Sequence, residues 1–202
     1  MNILVVCERS GILRDALRAR GHCAVSCDLK PSRRPGPHLE CDVREVLHHP
    51  WNAMISHYTC RYMTNAGVRW LHERPERWGM MCEAARFFRM LDSGPEVQHI
   101  PLRAAENPIM HRYAAEIVGR RADQFVHPWW FGSPFQKATG FHLTGLAPLP
   151  REFTRAWYAE RGIEIEQKVW KMGPSEDREE KRSETDPQVA RAIAQYWFGD
   201  AR

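Results

Sequence analysis

The chain has 202 residues, of which 43% are hydrophobic and 27% are charged. These values are ordinary for a globular domain and exclude disordered and fibrous proteins. The net charge of +4, with histidine neutral, would suit a polyanionic partner but is also common in proteins without one. All apolar runs are far shorter than the roughly 20 residues that cross a bilayer, and no signal-peptide pattern opens the sequence. We therefore expect one cytoplasmic domain that does not enter a membrane.

The cysteines predict neither disulfides nor a metal centre. There are six of them, with no pair at CxxC spacing, and in a reducing compartment they are expected to be free thiols. His22, Cys23 and Cys27 lie close in sequence, but no second pair of ligands follows nearby. The sequence therefore predicts no metal site.

Strand and helix patterns alternate along the first two thirds of the chain. Apolar β-branched runs and two-residue alternation predict strands, whereas apolar positions three and four residues apart predict helices. Strands are predicted at residues 3–6, 22–27, 51–56, 97–105, 125–131 and 141–146, and helical segments at 12–17, 42–47, 78–91 and 112–118. The last two strands would form a hairpin, and the proline-rich residues 30–38 a loop. This alternation predicts an α/β fold whose mostly parallel sheet carries helices on both faces.

The C-terminal quarter is more polar. Residues 148–186 predict a peripheral arm, and their charge run at 176–184 is interpreted as a solvated face. A closing helix is predicted at residues 187–198, with one apolar face formed by Val189, Ala192, Ile193 and Tyr196. We place the core in residues 1–147 and assign residues 148–202 to an arm and closing helix of the same domain.

Polar residues follow several predicted strands, at the edge where parallel sheets bind ligands. A turn at Gly11 would let a cofactor approach the backbone, Asp28 would suit the hydroxyls of a ribose, and Asp42 would accept from an adenine amino group. Each acid is also compatible with the more common role of helix cap. Likewise, Cys60 is compatible with a core thiol, and Glu106 with Asn107 could cap the next helix.

The order of these short motifs resembles that of a known family. CERSG occupies residues 7–11, CD 27–28 and CDV 41–43; a loop around Cys60 and ENP at 106–108 follow. Further matches are QFVHPWWFG at 124–132, Lys137, Thr139, WKMGPSEDR at 170–178 and RSET at 182–185. Over most of its length the chain resembles the DNA cytosine methyltransferases that modify ring carbon 5, particularly small phage-encoded members. The resemblance implies a Rossmann-like fold that binds S-adenosyl-L-methionine, and the host-cell cytoplasm as location if the gene is phage-encoded.

The resemblance also implies roles for individual residues. The cofactor would be bound by Cys7, Glu8, Ser10, Gly11, Asp28, Asp42 and Val43. The Cys60 thiolate would add to carbon 6 of cytosine, activating carbon 5 for methylation, while Glu106 binds the ring nitrogen and exocyclic amine. Asn107, Gln124 and Lys137 would contact the substrate, a cytosine that has left the DNA duplex. No full target-recognition domain fits into the chain, so a partner protein or an oligomer is expected to assist DNA recognition.

Two further functions remain open because the chain departs from the family pattern. Tyr58 and Thr59 precede Cys60 where the family usually has two prolines, and Pro108 replaces a valine. One alternative is a catalytically impaired relative that still binds DNA. The other is an enzyme with the same cofactor that modifies a different pyrimidine acceptor. For the aromatic run at residues 129–131, the sequence allows either core packing or base stacking.

Overall fold

The computed structural model describes residues 1–58, 60–107, 109–167 and 184–201, with Cys60 and Ala66 described by their backbone only. The strands of this part of the chain are β1 (Asn2–Val6), β2 (Cys23–Asp28), β3 (His38–Glu40), β4 (Ala53–His57), β5 (Leu102–Asn107), β6 (Gln124–Val126) and β7 (Thr139–Thr144). They form one sheet in the order β3-β2-β1-β4-β5-β7-β6. Neighbouring strands from β3 to β5 are parallel, and β7 runs antiparallel to both β5 and β6. The predicted mostly parallel sheet is confirmed.

Helices cover both faces of the sheet. They are α1 (Ile12–Arg18), α2 (Arg69–Glu73), α3 (Glu76–Ser93), α4 (Arg112–Val118), α5 (Arg155–Ala159) and α6 (Pro187–Ile193). Because side chains alternate along a strand, Ile3 and Val5 of β1 pack toward α1 and α6, while Leu4 and Val6 pack toward the end of α3. The predicted Rossmann-like α/β fold is therefore confirmed. Within the described residues, no helix is both long enough and apolar enough to cross a membrane.

Two predicted strands are shorter than expected. The strand predicted at residues 97–105 begins only at Leu102, since Pro95–Val97 forms a 3₁₀ turn. The strand predicted at residues 125–131 ends at Val126, since Pro128–Phe131 forms another. Proline begins both turns; it lacks the N–H that a sheet ladder requires and its φ angle suits a helical turn. The predicted antiparallel pairing of the last two strands is confirmed.

The closing helix belongs to the core. Val189, Ala192 and Ile193 of α6 are buried and pack with α1, as the predicted apolar face requires. Tyr196 departs from that face and is 42% exposed, because the helix widens to π geometry over Ala194–Phe198 and the side chains rotate relative to the preceding turns. Residues 168–183 of the predicted arm lie outside the described residues.

Truncation of Ile193 tests whether α6 is part of the core. The side chain is fully buried, so Ile193→Ala should lower the free energy of unfolding by about 2–5 kcal/mol through lost apolar burial and the cavity left behind. Tyr196→Ala, at the exposed end of the same helix, should cost at most about 1 kcal/mol. Urea unfolding followed by circular dichroism measures both, and equal losses would contradict the core assignment of α6.

Candidate functional site

The candidate site lies at the carboxyl edge of the sheet, between β1 and β4. The chain runs from β1 outward to β3 and then returns to β4 on the other side of β1, and Val6 and Ser56 pair at the ends of the two strands. Residues 7–11 and the segment that begins at Tyr58 therefore emerge side by side where the strand order reverses. This is the position at which open α/β sheets bind ligands.

Glu8 is a helix cap in this structure. Its buried carboxylate accepts hydrogen bonds from the backbone N–H groups of Leu13 (2.8 Å) and Arg14 (3.3 Å) and from the Ser10 hydroxyl (3.0 Å). The Ser10 oxygen in turn accepts from the backbone of Ile12 (3.2 Å). These bonds satisfy N–H groups at the start of α1. Glu8 and Ser10 thus shape the predicted cofactor turn.

Gly11 completes this turn in a conformation that other residues rarely adopt. Its φ is +69°, and an added Cβ would lie 2.5 Å from a guanidinium nitrogen of Arg14. The fully buried Arg14 side chain donates to the carbonyl oxygen of Pro35 (2.9 Å) and to the Ser26 hydroxyl (3.3 Å). The loop before β3 is therefore fixed against α1 beside the turn.

The structure brings Cys7, Asp28 and Asp42 together. Burial, followed by the charges of Asp28 and Asp42, raises the pKa of Cys7 to about 12. Asp28 accepts from the backbone of Lys30 (3.0 Å), while Asp42 caps the turn Val43–Glu45, of which Val43 is buried. Two carboxylates beside a glycine turn offer the acceptors that the hydroxyl and amino groups of a nucleoside require. Cys7, Asp28 and Asp42 of the predicted cofactor residues thus lie near one another at the carboxyl edge of the sheet.

A buried histidine and carboxylate form the second part of the site. His57 and Glu106 are direct partners across β4 and β5, and His57 Nδ1 lies 2.6 Å from Glu106 Oε2. Burial alone would raise the pKa of Glu106, but the hydrogen bond and charge of His57, followed by the charge of Lys137, lower it. Burial alone would lower the pKa of His57, but the hydrogen bond and charge of Glu106, followed by the charge of Glu8, raise it. Both shifts of pKa favour the charged forms, a protonated His57 beside an ionised Glu106.

Lys137, which the sequence analysis expected to contact the substrate, lies beside this pair. Glu106 and His57 line a small pocket together with Pro128, Lys137, Thr139, Phe141, Thr185, Asp186 and Val189. The Lys137 ammonium donates to the backbone oxygen of Glu184 (3.0 Å). Asp186 caps α6 by accepting from the backbone of Gln188 (2.9 Å), and it also accepts from the Ser133 hydroxyl (2.9 Å). The start of α6 therefore forms one wall of the pocket.

The other two predicted substrate residues lie apart from Glu106. Asn107 follows Glu106 on β5 and therefore faces the opposite side of the sheet; both polar atoms of its buried side chain lack hydrogen-bond partners among the described residues. Gln124 lies on β6, which β7 separates from β5. Its amide group donates to and accepts from the backbone of Leu149 at 2.7 Å each, so Gln124 holds a neighbouring segment at this edge.

Cys60 lies on the segment that joins β4 to the helices. Its backbone starts the 3₁₀ turn Cys60–Tyr62, while its side chain, Thr59 and Pro108 lie outside the described residues.

The capping alternative for Glu106 and Asn107 is wrong. Helix α4 begins at Arg112, and its cap is His111, whose side chain accepts from the backbone of Ala114 (3.2 Å). The Glu106 carboxylate forms its hydrogen bond with His57 instead. Sequence reasoning missed His57, because its partner is 49 residues away along the chain and no local motif links them.

The described residues contain no group of three or more histidine, cysteine or acidic side chains placed to hold a metal ion.

The comparisons with known proteins concern the fold. No protein-family model and no curated protein matches the chain. It is similar to the crystal structure of a protein encoded in an E. coli prophage and assigned as a DNA modification methyltransferase, with 15% identity over 70% of this chain and a TM-score of 0.43. It is also similar to a methyltransferase of Entamoeba histolytica, with 12% identity over 83% of this chain and a TM-score of 0.49. The chain spans 45% and 57% of the lengths of these two structures.

The pH dependence of stability tests the His57–Glu106 ion pair. The raised pKa of His57 means that its contribution is complete below its unfolded value, about 6.5, and is lost as the pH rises through the folded value. The lowered pKa of Glu106 means that its contribution is present above about 4.3 and is lost as the pH falls through the folded value. Glu106→Gln should therefore lower the free energy of unfolding most between about pH 4.5 and 6.5, and less as the pH rises beyond 7.

Urea unfolding of the wild type, Glu106→Gln, His57→Gln and the double variant across this range measures the coupling between the two side chains. A coupling free energy that does not change with pH would contradict the ion pair.

Proposed function

We propose that this protein transfers the methyl group of S-adenosyl-L-methionine to carbon 5 of cytosine in DNA, with Cys60 as nucleophile. The observation that carries the proposal is the largely buried Glu106 carboxylate, held by His57 on the strand that leads directly to Cys60. Burying a charge is costly unless it is paired, and such pairs at the ligand-binding edge of a sheet are typical of functional sites. The sequence supplies the second support, because Cys60 and Glu106 occur in the order and context of the cytosine methyltransferase motifs.

The surface formed by Cys7, Gly11, Asp28 and Asp42 would hold the cofactor. Asp28 would accept from the ribose hydroxyls and Asp42 from the adenine amino group, while the turn at Gly11 lets the ligand approach the backbone. The high pKa of Cys7 keeps its thiol neutral, so this cysteine is a contact residue and no rival nucleophile. When bound, the cofactor supplies an electrophilic methyl group.

Cys60 and Glu106 would then divide the chemistry on the base. Addition of the Cys60 thiolate to carbon 6 forms a sulfur–carbon bond and shifts electron density to carbon 5 and to ring nitrogen 3. The proton shared by His57 and Glu106 can pass to that nitrogen, while the carboxylate accepts from the exocyclic amine. His57 acts as a positioning residue, since it holds the proton and the orientation of Glu106.

Tyr58, two residues before Cys60, packs against α3. Its ring lies 5.1 Å from that of Phe87 on α3, and it contacts the cluster around Met63 and Phe88. An aromatic pair of this kind stabilises by about 0.5–1.5 kcal/mol beyond area burial. The segment leading to the nucleophile is thus anchored by a side chain where the family uses the stiffness of proline.

The nucleophile can be tested by trapping. Incubation with the cofactor and DNA that contains 5-fluorocytosine should yield a covalent complex that survives denaturing electrophoresis, because fluorine blocks the elimination that releases the enzyme. Cys60→Ala should abolish the complex. Cys23→Ala removes an exposed cysteine at the start of β2, at the opposite edge of the sheet, and should leave it unchanged.

A complex that persists in Cys60→Ala would overturn the assignment of the nucleophile. No complex with the wild type, while cofactor and DNA still bind, would favour a DNA-binding relative without activity. No complex and no DNA binding would favour a different pyrimidine acceptor.

The cofactor surface can be tested separately by calorimetry with S-adenosylhomocysteine. Asp28→Asn keeps the size of the side chain but loses the charged acceptor, and should weaken binding about tenfold, the equivalent of about 1.4 kcal/mol. Asp200→Asn removes an exposed acid near the amino end of β2 and should bind normally. Unchanged affinity in Asp28→Asn would refute the role of Asp28.

A further inference from the structure

Beside the Glu106 pocket lies a surface built from arginine and tryptophan side chains. The 3₁₀ turn Pro128–Phe131 connects the pocket to this surface. Pro128 lines the pocket, and the rings of Trp129 and Trp130 lie beneath arginine side chains. The Arg151 guanidinium carbon lies 4.3 Å from the ring centre of Trp130 and 5.2 Å from that of Trp129. That of Arg155 lies 5.0 Å from the ring centre of Trp129. We call these four residues the arginine–tryptophan surface.

The cations of this surface are exposed and, among the described residues, are not paired with carboxylates. Arg151 and Arg155 are both exposed, and neither forms an ion pair with an acid of the described residues. Glu152, which lies between them in sequence, is held by Arg191 at 2.6 Å. Arg155 donates to the neutral side chain of Gln136 (3.1 Å). Two positive charges therefore face solvent next to the pocket.

The indole rings orient these cations. A guanidinium group over an indole face is attracted by the ring quadrupole, which limits its motion but leaves the N–H groups at its edge able to donate. Such a planar fork matches the oxygens of a phosphate, and little side-chain entropy remains to be lost on binding. Trp129 is 4% exposed, so the ring beneath Arg155 is fixed by the core. The sequence alternative of core packing thus holds for Trp129.

His127 and Lys137 lie between the arginine–tryptophan surface and the pocket. The His127 ring stacks near Trp129, with ring centres 6.0 Å apart and planes 21° from parallel. Burial, followed by the charges of Arg155 and Arg151, lowers the pKa of His127. Lys137, which lines the pocket with Glu106, continues the row of positive charges. The Glu106 carboxylate thus lies at one end of a strip that attracts anions.

We propose that Arg151 and Arg155 bind phosphate groups of the DNA strand that carries the target cytosine. This inference rests on the proposed function and adds to it the surface on which DNA lies. The strand would follow the positive strip, with the target base entering the Glu106 pocket and flanking phosphates held by the two guanidinium groups. Such phosphate contacts position the DNA strand but do not distinguish one base sequence from another.

Salt dependence of DNA binding tests the surface directly. Each phosphate contact adds about 0.9 to the slope of log affinity against log salt concentration for duplex DNA. Arg151→Ala with Arg155→Ala should therefore reduce this slope by about 2 and weaken binding at least about tenfold at moderate salt. Fluorescence anisotropy with a labelled duplex measures both values. Arg151→Lys with Arg155→Lys should recover part of the affinity, because charge remains while the planar fork is lost.

The matched control is Arg20→Ala with Arg121→Ala. It removes the same net charge before β2 and β6, at the amino edge of the sheet, and should leave the slope nearly unchanged. An unaltered slope in the Arg151 and Arg155 variant, an equal loss in the control, or no DNA binding by the wild type would each overturn the inference.

Trapping with 5-fluorocytosine separates this inference from the proposed chemistry. If the wild type is trapped but replacing Arg151 and Arg155 does not change the salt slope of DNA binding, the phosphate-binding surface is refuted and the chemistry is not. A slope that falls as expected in a protein that is never trapped supports the surface and refutes the chemistry.

Discussion

The hydrogen bond between His57 and Glu106 is the interaction on which the rest of the site depends. It joins the ends of two neighbouring parallel strands, β4 and β5, and it keeps a carboxylate ionised in a buried position. Without His57, Glu106 would become neutral or draw in water, because an unpaired buried charge is costly. The segment that bears Cys60 starts at the same histidine, so one contact fixes both the carboxylate and the start of the Cys60 segment.

On the two sides of this pair, the sheet edge carries two surfaces of opposite charge. On one side of the switch point, the turn at Gly11 and the carboxylates of Asp28 and Asp42 form a surface suited to a nucleoside. On the other side, Lys137 and the arginine–tryptophan surface provide positive charge suited to phosphates. The segments that follow β1 and β4 lie between these two surfaces in the order of the sheet. A methyl donor and a DNA strand could thus reach a shared point from opposite directions.

The sequence predicted the framework well, but it did not predict the contacts that define the site. The strands near residues 3–6, 22–27 and 51–56 were correctly expected, because each is a short apolar run between polar or glycine turns. The pairing of His57 with Glu106 and the stacking of Arg151 on Trp130 join distant segments and have no local signal. Glu8 shows the opposite case, since the general expectation of a helix cap described its contacts better than a ligand role did.

The position of Asp186 has a consequence for how the pocket opens. Its carboxylate starts α6 and holds Ser133, while the residue itself forms part of the wall opposite Glu106. Fraying of the first turn of α6 would therefore remove this wall. The start of the helix thus also closes the pocket. Opening of this turn would expose the buried Val189 and Ala190, so it costs more than the fraying of an exposed helix end. The stability of that first turn, more than the chemistry beneath it, would then set how often a base gains entry.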